Sequence, residues 1–556
     1  FNLNIKNSTF IDNSAKKDGS AIYNGYTLTI DNDSTFTNNT LYNYYSATLN
    51  LDEIKTFSDL QRAVSIVEGY VTLTSNVTML DSEAAKFVNG IVVDHMVNIR
   101  ANGFTINANN LGRIFNVTST GNLNIYNGNL INGKADIGGA IYNNGKVYAY
   151  NSTFKNNTAD TMGGAIFNNA NLEIQKCIID GNDIIKRTAS SAEDYGGAAI
   201  YNWYGATLKI TNSTISNNLK NYKNGDRVLG AVTSLGTATI QKNSYFINNS
   251  GRWGGAICSS GNALSGTKVN KLTISDATFS ENKGLYGAGI FISGSNFEIK
   301  NSVFDGNSAF GKGDMTPNNN NGGAIVVTDS GKTIVGTIEK SNFTNNNAHY
   351  GGALWINEGE ITISTSLFEN NTAVEDGGAI GFGSAYHNVI ASVEDSIFKN
   401  NFAKYAGAIT NTKYLTVDNS TFIDNVKGTI LNQKDINMNI KDFTGLQNAV
   451  NWVDGILILD SDIAMSDDEA VNFVNGVVVN KNLVIDGRGH TVDARNLGRI
   501  FSVGAGYTVT LTNITLINGK ADKGGAVYND GKLTISNANL NSNTADKFGG
   551  AVFNNG

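Results

Sequence analysis

Proline is the scarcest structural residue of the sequence, with Pro317 its single instance among 556 residues. A chain so rarely missing a backbone N–H can run strand after strand without losing a ladder donor. Cys177 and Cys258 are the only cysteines, which excludes a disulfide framework. In the repeat described below they fall two or three rungs apart, roughly 10 to 15 Å at about 4.8 Å per rung, beyond the reach of a bridge. Each reads as a small buried hydrophobe. The four histidines, His95, His349, His387 and His490, share no ligand spacing, so no metal is expected, and no phosphate loop or Ser-His-Asp pattern calls for a cofactor or a nucleophile. No run of about eighteen apolar residues is present to span a bilayer. Charged residues make up only 16%, the net charge is -7, and the basic ones are scattered, which excludes a nucleic-acid partner held through phosphates.

Glycine, by contrast, numbers 61, beside 26 Phe and 22 Tyr, and 40% of the chain is hydrophobic, ample for a core. The phrase Phe-x-x-Asn recurs at Phe10, Phe36, Phe154, Phe246, Phe279, Phe304, Phe343, Phe368, Phe398 and Phe422, with Ile179, Ile215 and Leu540 in the same slot. Gly-Gly-Ala-Ile or a close variant follows, starting at Gly163, Gly196, Gly254, Gly322, Gly351, Gly377 and Gly549. The tightest spacing, as from 154 to 179 and from 343 to 368, is 25 residues, the mark of stacked structural units. Alternating stretches such as "KLTISDATF" and "YLTVDNSTF" precede the Phe slot and predict half-buried strands. A 25-residue unit with two or three short strands is too short for a βαβ crossover and fits one coil of an all-β, parallel β-helix. The Phe slot is then an internal stack, Asn takes a left-handed turn and ladders its amide, and the Gly pair permits a bend that a Cβ obstructs.

A longer period lies above this one. Residues 55 to 170 align without a gap on 441 to 556, at an offset of 386, pairing "KTFSDLQRAV" with "KDFTGLQNAV" and "NLGRIF" with itself. The predicted organisation is therefore 1–50 as the closing coils of one module, 51–433 as a complete module, and 434–556 as the opening of the next. Each module begins with an amphipathic helix, over 56–67 and 443–453. Phe57, Leu60, Val64 and Val67 share one face of the first, Thr56 and Asp59 have capping-box spacing, and Asp442 caps the second. Such a helix is expected to lie across the end of the coils as a lid, with strand pairing interrupted there.

The Phe-x-x-Asn and Gly-Gly-Ala-Ile phrases resemble the repeat of chlamydial polymorphic outer-membrane proteins. The fuller text, with "FSDLQRAV", "GFTINANNLGRIF" and "GGAIYNNG", is similar to large adhesin-like surface proteins of methanogenic archaea. The resemblance implies a right-handed, pectate-lyase-like solenoid in tandem modules, secreted and carried on the cell surface as a structural or adhesive rod. Its partners are then neighbouring modules of the same chain and, for adhesion, glycans or proteins of a host or another cell. A signal and an anchor are expected outside this stretch, which opens on "FNLNIKNSTF" as if in mid-structure.

The most enzyme-like text is "VIDGRGHTVDARNLGRIF", 484–501, whose Asp486, Arg488, His490 and Asp493 suit a polysaccharide lyase or glycoside hydrolase. The aligned copy holds Arg100, Asn102, Phe104 and Asn107 there, which keeps the strand pattern and removes the ionisable groups, so the chain is read as non-enzymatic. Arg113 and Arg499 match in both copies and suit a turn arginine bonding backbone carbonyls. Thirteen Asn-x-Ser/Thr triplets occur, among them Asn7, Asn151, Asn212, Asn419 and Asn513, candidate glycan acceptors on an exported protein. Three insertions between the Asn and the Gly pair, 183–195, 219–229 and 308–321, are expected to gather on one edge as binding loops. Their candidate residues are Lys186, Arg187, Tyr195, Tyr222, Lys223, Arg227, Asn318 and Asn319.

Overall fold

The computed structural model describes residues 2–556 except 17–19, 32–33, 38–43, 52–53, 69, 188–194, 224–225, 262–269, 310–319, 329–333, 384–388, 427 and 434–435. Its contacts divide the chain into two compact units. One comprises Phe1–Pro317 with Gly323–Val326 and Ser330–Lys332, the other Thr333–Gly556 with Asn318–Gly322 and Val327–Asp329. Each is a solenoid of short parallel strands, as the period predicts.

One coil of the first unit shows the plan. Ile141–Asn143 leads into Lys146–Tyr150, a sharp turn at Asn151 starts Thr153–Lys155, a second turn at Asn156 leads into Thr158–Met162, and Gly163 and Gly164 return the chain to Ile166–Asn168. Every strand pairs in parallel with its counterpart one coil on: Val147 with Leu172, Phe154 with Ile179, Ile141 with Ile166. Because inward and outward residues alternate, this register stacks like upon like. Phe154, Phe246, Phe279 and Phe304 have no exposed surface. Phe246, Phe279 and Phe304 stack with ring centroids 4.7 and 4.8 Å apart, the spacing of neighbouring strands. Phe154 lies in the same column but touches no ring of it, since Ile179 and Ile215 intervene. In the second unit Phe343, Phe368, Phe398 and Phe422 stack at 4.8 to 4.9 Å.

The motif asparagine does one of the two jobs the sequence assigned to it. The left-handed turn falls on the residue before it, Asn156, Asn217, Asn248 or Asn345, at φ 51° to 55°. The motif residue itself builds a ladder and is fully buried from Asn157 to Asn307 and from Asn346 to Asn401. Asn282 donates from Nδ2 to Asn307 Oδ1 at 2.9 Å and to the Phe246 carbonyl at 2.9 Å, while its Oδ1 accepts from the backbone and amide nitrogens of Asn249. The column runs Asn157, Asn182, Asn218, Asn249, Asn282, Asn307, and again Asn346, Asn371, Asn401, Asn425 in the second unit. The Gly pair divides its labour too. Gly163 has φ 65°, and a Cβ on Gly164 meets the Ala198 and Asp183 carbonyls of the next coil.

The helices form at Phe57–Ile66 and Phe443–Trp452. Phe57, Leu60 and Val64 are buried, but Val67 leaves the helix to pair with Tyr44. Both predicted caps are present: Thr56 and Asp59 bond reciprocally, and Asp442 accepts from Gly445 N–H at 2.7 Å. The expected interruption of strand pairing does not occur. Ile409–Asn411 pairs with Ile430–Asn432, which pairs with Val453–Gly455 immediately after the second helix, and Gly455–Ile458 pairs with Leu483–Asp486. Each helix instead covers a single strand edge. Gln61 bonds both the N–H and the carbonyl of Val92, at 2.7 and 3.2 Å, and Gln447 bonds those of Val478, at 2.7 and 3.0 Å. A side-chain amide has the donor and acceptor of a peptide group, so the glutamine occupies the ladder position of a missing strand.

Candidate functional site

The insertions at 183–195 and 219–229 lie on successive coils and bond to each other. Arg227 N–H donates to the Arg187 carbonyl at 2.8 Å, and Leu229 N–H to that of Tyr195 at 3.1 Å. Two of the candidate binding residues face inward. Arg187 Nη2 donates to both oxygens of Asp183 at 2.7 Å, and Nη1 donates to Asp226 at 3.2 Å. Burial pushes the Asp183 carboxyl up, and the Arg187 guanidinium pulls it back. Tyr222 closes an apolar cluster with Ala159, Ile184, Ala198, Leu219 and Val228, and burial pushes its hydroxyl up to about 12. Tyr195 is half-buried, while Lys186, Lys223 and Arg227 are exposed, with Lys186 3.0 Å from Asp160. Beside them Arg252 lies 4.9 Å over the ring of Trp253, which stacks on Tyr286. Asn318 and Asn319, with most of the third insertion, lie outside the described residues.

The enzyme-like stretch resolves into turns. Asp486 Oδ1 accepts the Arg488 N–H and the Asn513 amide, both at 3.0 Å; Asp493 Oδ1 accepts the Arg495 N–H at 2.7 Å and the Asn518 amide at 2.9 Å. In the aligned copy Asn107 Oδ1 accepts the Asn109 N–H at 2.9 Å and the Asn132 amide at 3.0 Å. Carboxylate and amide oxygen thus perform the same task, which is why one copy replaces the other without disturbing the coil. His490 Nδ1 stands 3.4 Å from Asp462. The hollow beside Arg488, about 510 Å³, is lined by Gly489, Asn513, Ile514, Thr515, Asn537 and Asn539, and no carboxylate is among them.

Arg113 and Arg499 are turn arginines: Arg113 donates to the carbonyls of Gly138, Asn89 and Ile137, and Arg499 to those of Gly524, Asn475 and Lys523. The sequon asparagines Asn7, Asn151, Asn212, Asn419 and Asn513 occupy a left-handed turn column, at φ 41° to 50°. Asn7, Asn151, Asn212 and Asn419 are exposed and Asn513 is half-buried. Asn151 donates to Asn127 at 2.7 Å and Asn419 to Asp395 at 2.5 Å. The serine of most "Asn-Ser-Thr" triplets points inward and forms a further ladder, in which Cys177 replaces a serine: Ser152 N–H meets its Sγ at 3.4 Å, and its own N–H donates to Ser213 Oγ at 3.0 Å. Burial pushes its thiol up to about 11 and that of Cys258 up to about 12.

A pair of buried carboxylates has no counterpart in the sequence reading. Glu83 accepts the N–H groups of Phe57, Ser58 and Leu80, and Glu469 those of Phe443, Thr444 and Ser466. Each therefore ties the N-terminus of a helix to a turn 25 residues on. Burial alone raises these carboxyls, yet the hydrogen bonds together hold both below the ordinary carboxylate value. The identity of Glu83 and Glu469 across the 386-residue offset is the signal that marks them.

The Chlamydia polymorphic membrane protein repeat matches the chain over 7–25, 151–169, 243–260 and 365–382. No curated protein and no solved structure matches it. The matched stretches 151–169 and 365–382 hold a sequon or serine turn, the Phe slot, the ladder asparagine and the Gly pair, so the likeness is to the coil. No helix among the described residues is long and apolar enough to cross a membrane.

Proposed function

We propose that this chain is a stretch of an extracellular structural and adhesive rod, a right-handed β-helix of tandem modules carried on a cell surface, without catalytic activity. Support comes from the coil itself: Phe, Asn, Ser and Gly of the repeat are all taken up by stacks, ladders and turns, so the repeated motif builds wall and leaves recognition to what departs from it. The observation that carries the adhesive part is the pair of mutually bonded insertions that holds Lys186, Lys223 and Arg227 exposed on a rigid base. Residues anchored in this way bind with little ordering cost. The archaeal likeness rests on the sequence text alone, and the sequons make glycosylation part of the same proposal.

Beads coated with the purified chain are expected to adhere to cells or to an extracellular glycoprotein layer. Charge reversal by Lys186→Glu, Lys223→Glu and Arg227→Glu is expected to lower adhesion severalfold with the circular dichroism unchanged. A folded chain that adheres to no such surface overturns the adhesive reading and leaves a scaffold.

A further inference from the structure

Outward positions of the solenoid's long strands are mostly Thr, Lys, Glu, Gln and Asn, but in the first unit Tyr70, Tyr126, Tyr148 and Tyr150 cluster there. The wall does not require them, because the aligned residues of the other copy are Ile456, Thr512, Thr534 and Ser536. Tyr148 does not stand off the sheet. Its hydroxyl donates to Gln175 Oε1 at 2.8 Å on the next strand, two residues beyond its direct neighbour Glu173, which lays the ring along the surface. Tyr126 meets it edge-on at 6.0 Å, and Tyr150 lies alongside at 6.4 Å with its own hydroxyl held by Lys176 at 2.9 Å.

The pinned ring borders a groove of about 520 Å³ that runs across five neighbouring strands, from Asn122 to Thr239, with Lys146, Tyr148, Asn171, Glu173, Thr207 and Lys209 at its middle. Two donor and acceptor pairs lie within it: Lys209 with Glu173 at 2.8 Å, and Thr207 with Asn171 at 2.7 Å. A polyanion calls for clustered cations, and here Glu173 opposes them. A sugar hydroxyl, both donor and acceptor, matches such pairs, and the apolar C–H face of a sugar ring matches a tyrosine face.

We infer that this groove binds a neutral glycan chain, with Tyr148 as the platform for one sugar ring and the Lys209/Glu173 and Thr207/Asn171 pairs holding its hydroxyls. The inference rests on the adhesive reading above and gives it a ligand class and a second, separate surface. Calorimetric titration of the whole chain with neutral and with uronate oligosaccharides tests it, using Tyr148→Thr, the residue of the aligned strand, and Glu173→Gln. A neutral oligosaccharide is expected to bind, about tenfold more weakly to Tyr148→Thr, with weakening also by Glu173→Gln and an unchanged thermal transition in both. Absence of binding to every neutral oligosaccharide, binding untouched by both substitutions, or a preference for uronates overturns it. If bead adhesion persists while sugar binding fails, only the groove is discarded; sugar binding by a chain that does not adhere to cells discards the adhesive reading instead.

Discussion

At the scale of the residue, the stability of this wall depends on columns in which one residue type repeats, so a single replacement disturbs two coils at once. Phe343 is fully buried and stacks on Phe368 at 4.8 Å. Phe343→Ala is expected to cost about 3 to 5 kcal/mol, read as a shift in the denaturant midpoint of the surrounding coils. Replacement of a ladder asparagine by its near-isostere is expected to do comparable harm for a different reason. Asn282→Asp removes both donors, to Asn307 Oδ1 and the Phe246 carbonyl, and places a carboxylate where no cation answers it. The expected cost at neutral pH is about 3 kcal/mol or more. A buried carboxyl takes up a proton, so its folded pKa lies above its unfolded one; the variant should regain stability as pH falls, whereas Phe343→Ala should show no such recovery. Denaturation at pH 7 and pH 4 separates the two.

At the scale of the element, each helix is held by a carboxylate at its N-terminus and ends the row of one strand by offering it a glutamine. Glu83 and Glu469 have folded pKa values below the ordinary 4.5, so their contribution is fully present above that value and is lost as pH falls through the folded one. The protection factors of the Phe57–Ile66 and Phe443–Trp452 amides, observed exchange divided into the intrinsic rate at each pH, are therefore expected to be high at pH 6 and to fall in acid below 4.5. Glu83→Gln and Glu469→Gln should have lower protection factors at pH 6 that change little with acid; a helix whose protection ignores both pH and substitution contradicts the role assigned to these carboxyls. The expected place of the helix across the end of the coils was not borne out, but the helix itself was foreseeable from Phe57, Leu60 and Val64 at helical spacing. That it closes one row while Val453–Gly455 carries on another was not, since the pairing partner of Ile430 lies 23 residues away across the helix.

At the scale of the whole molecule, function separates from fold: the same coil serves wherever a wall is needed, and only departures from it have room for recognition. The proposed absence of catalysis follows from where the acids sit. Asp486 and Asp493 each bond a backbone N–H two residues on and an asparagine of the next coil, as Asn107 does in the copy without the carboxylate. Incubation with neutral and uronate polysaccharides is expected to release neither reducing ends nor unsaturated products; turnover abolished by Asp486→Asn reverses that conclusion.

The sequence by itself determined the period, the parallel solenoid, the inward Phe column and the capped helices, because each rests on local spacing and on residues repeated until chance is excluded. Only the tertiary structure decided which of two neighbouring asparagines turns and which ladders, why Arg187 and Tyr222 fold inward while Lys223 and Arg227 do not, and where Tyr148 lies. These depend on partners far off in the sequence, such as Asn221 and Asp226 for Arg187, Ala159 for Tyr222 or Gln175 for Tyr148. Insertions of unequal length set the partners of Arg187, and the diagonal reach of Tyr148 to Gln175 is a matter of side-chain packing; no local periodicity encodes either.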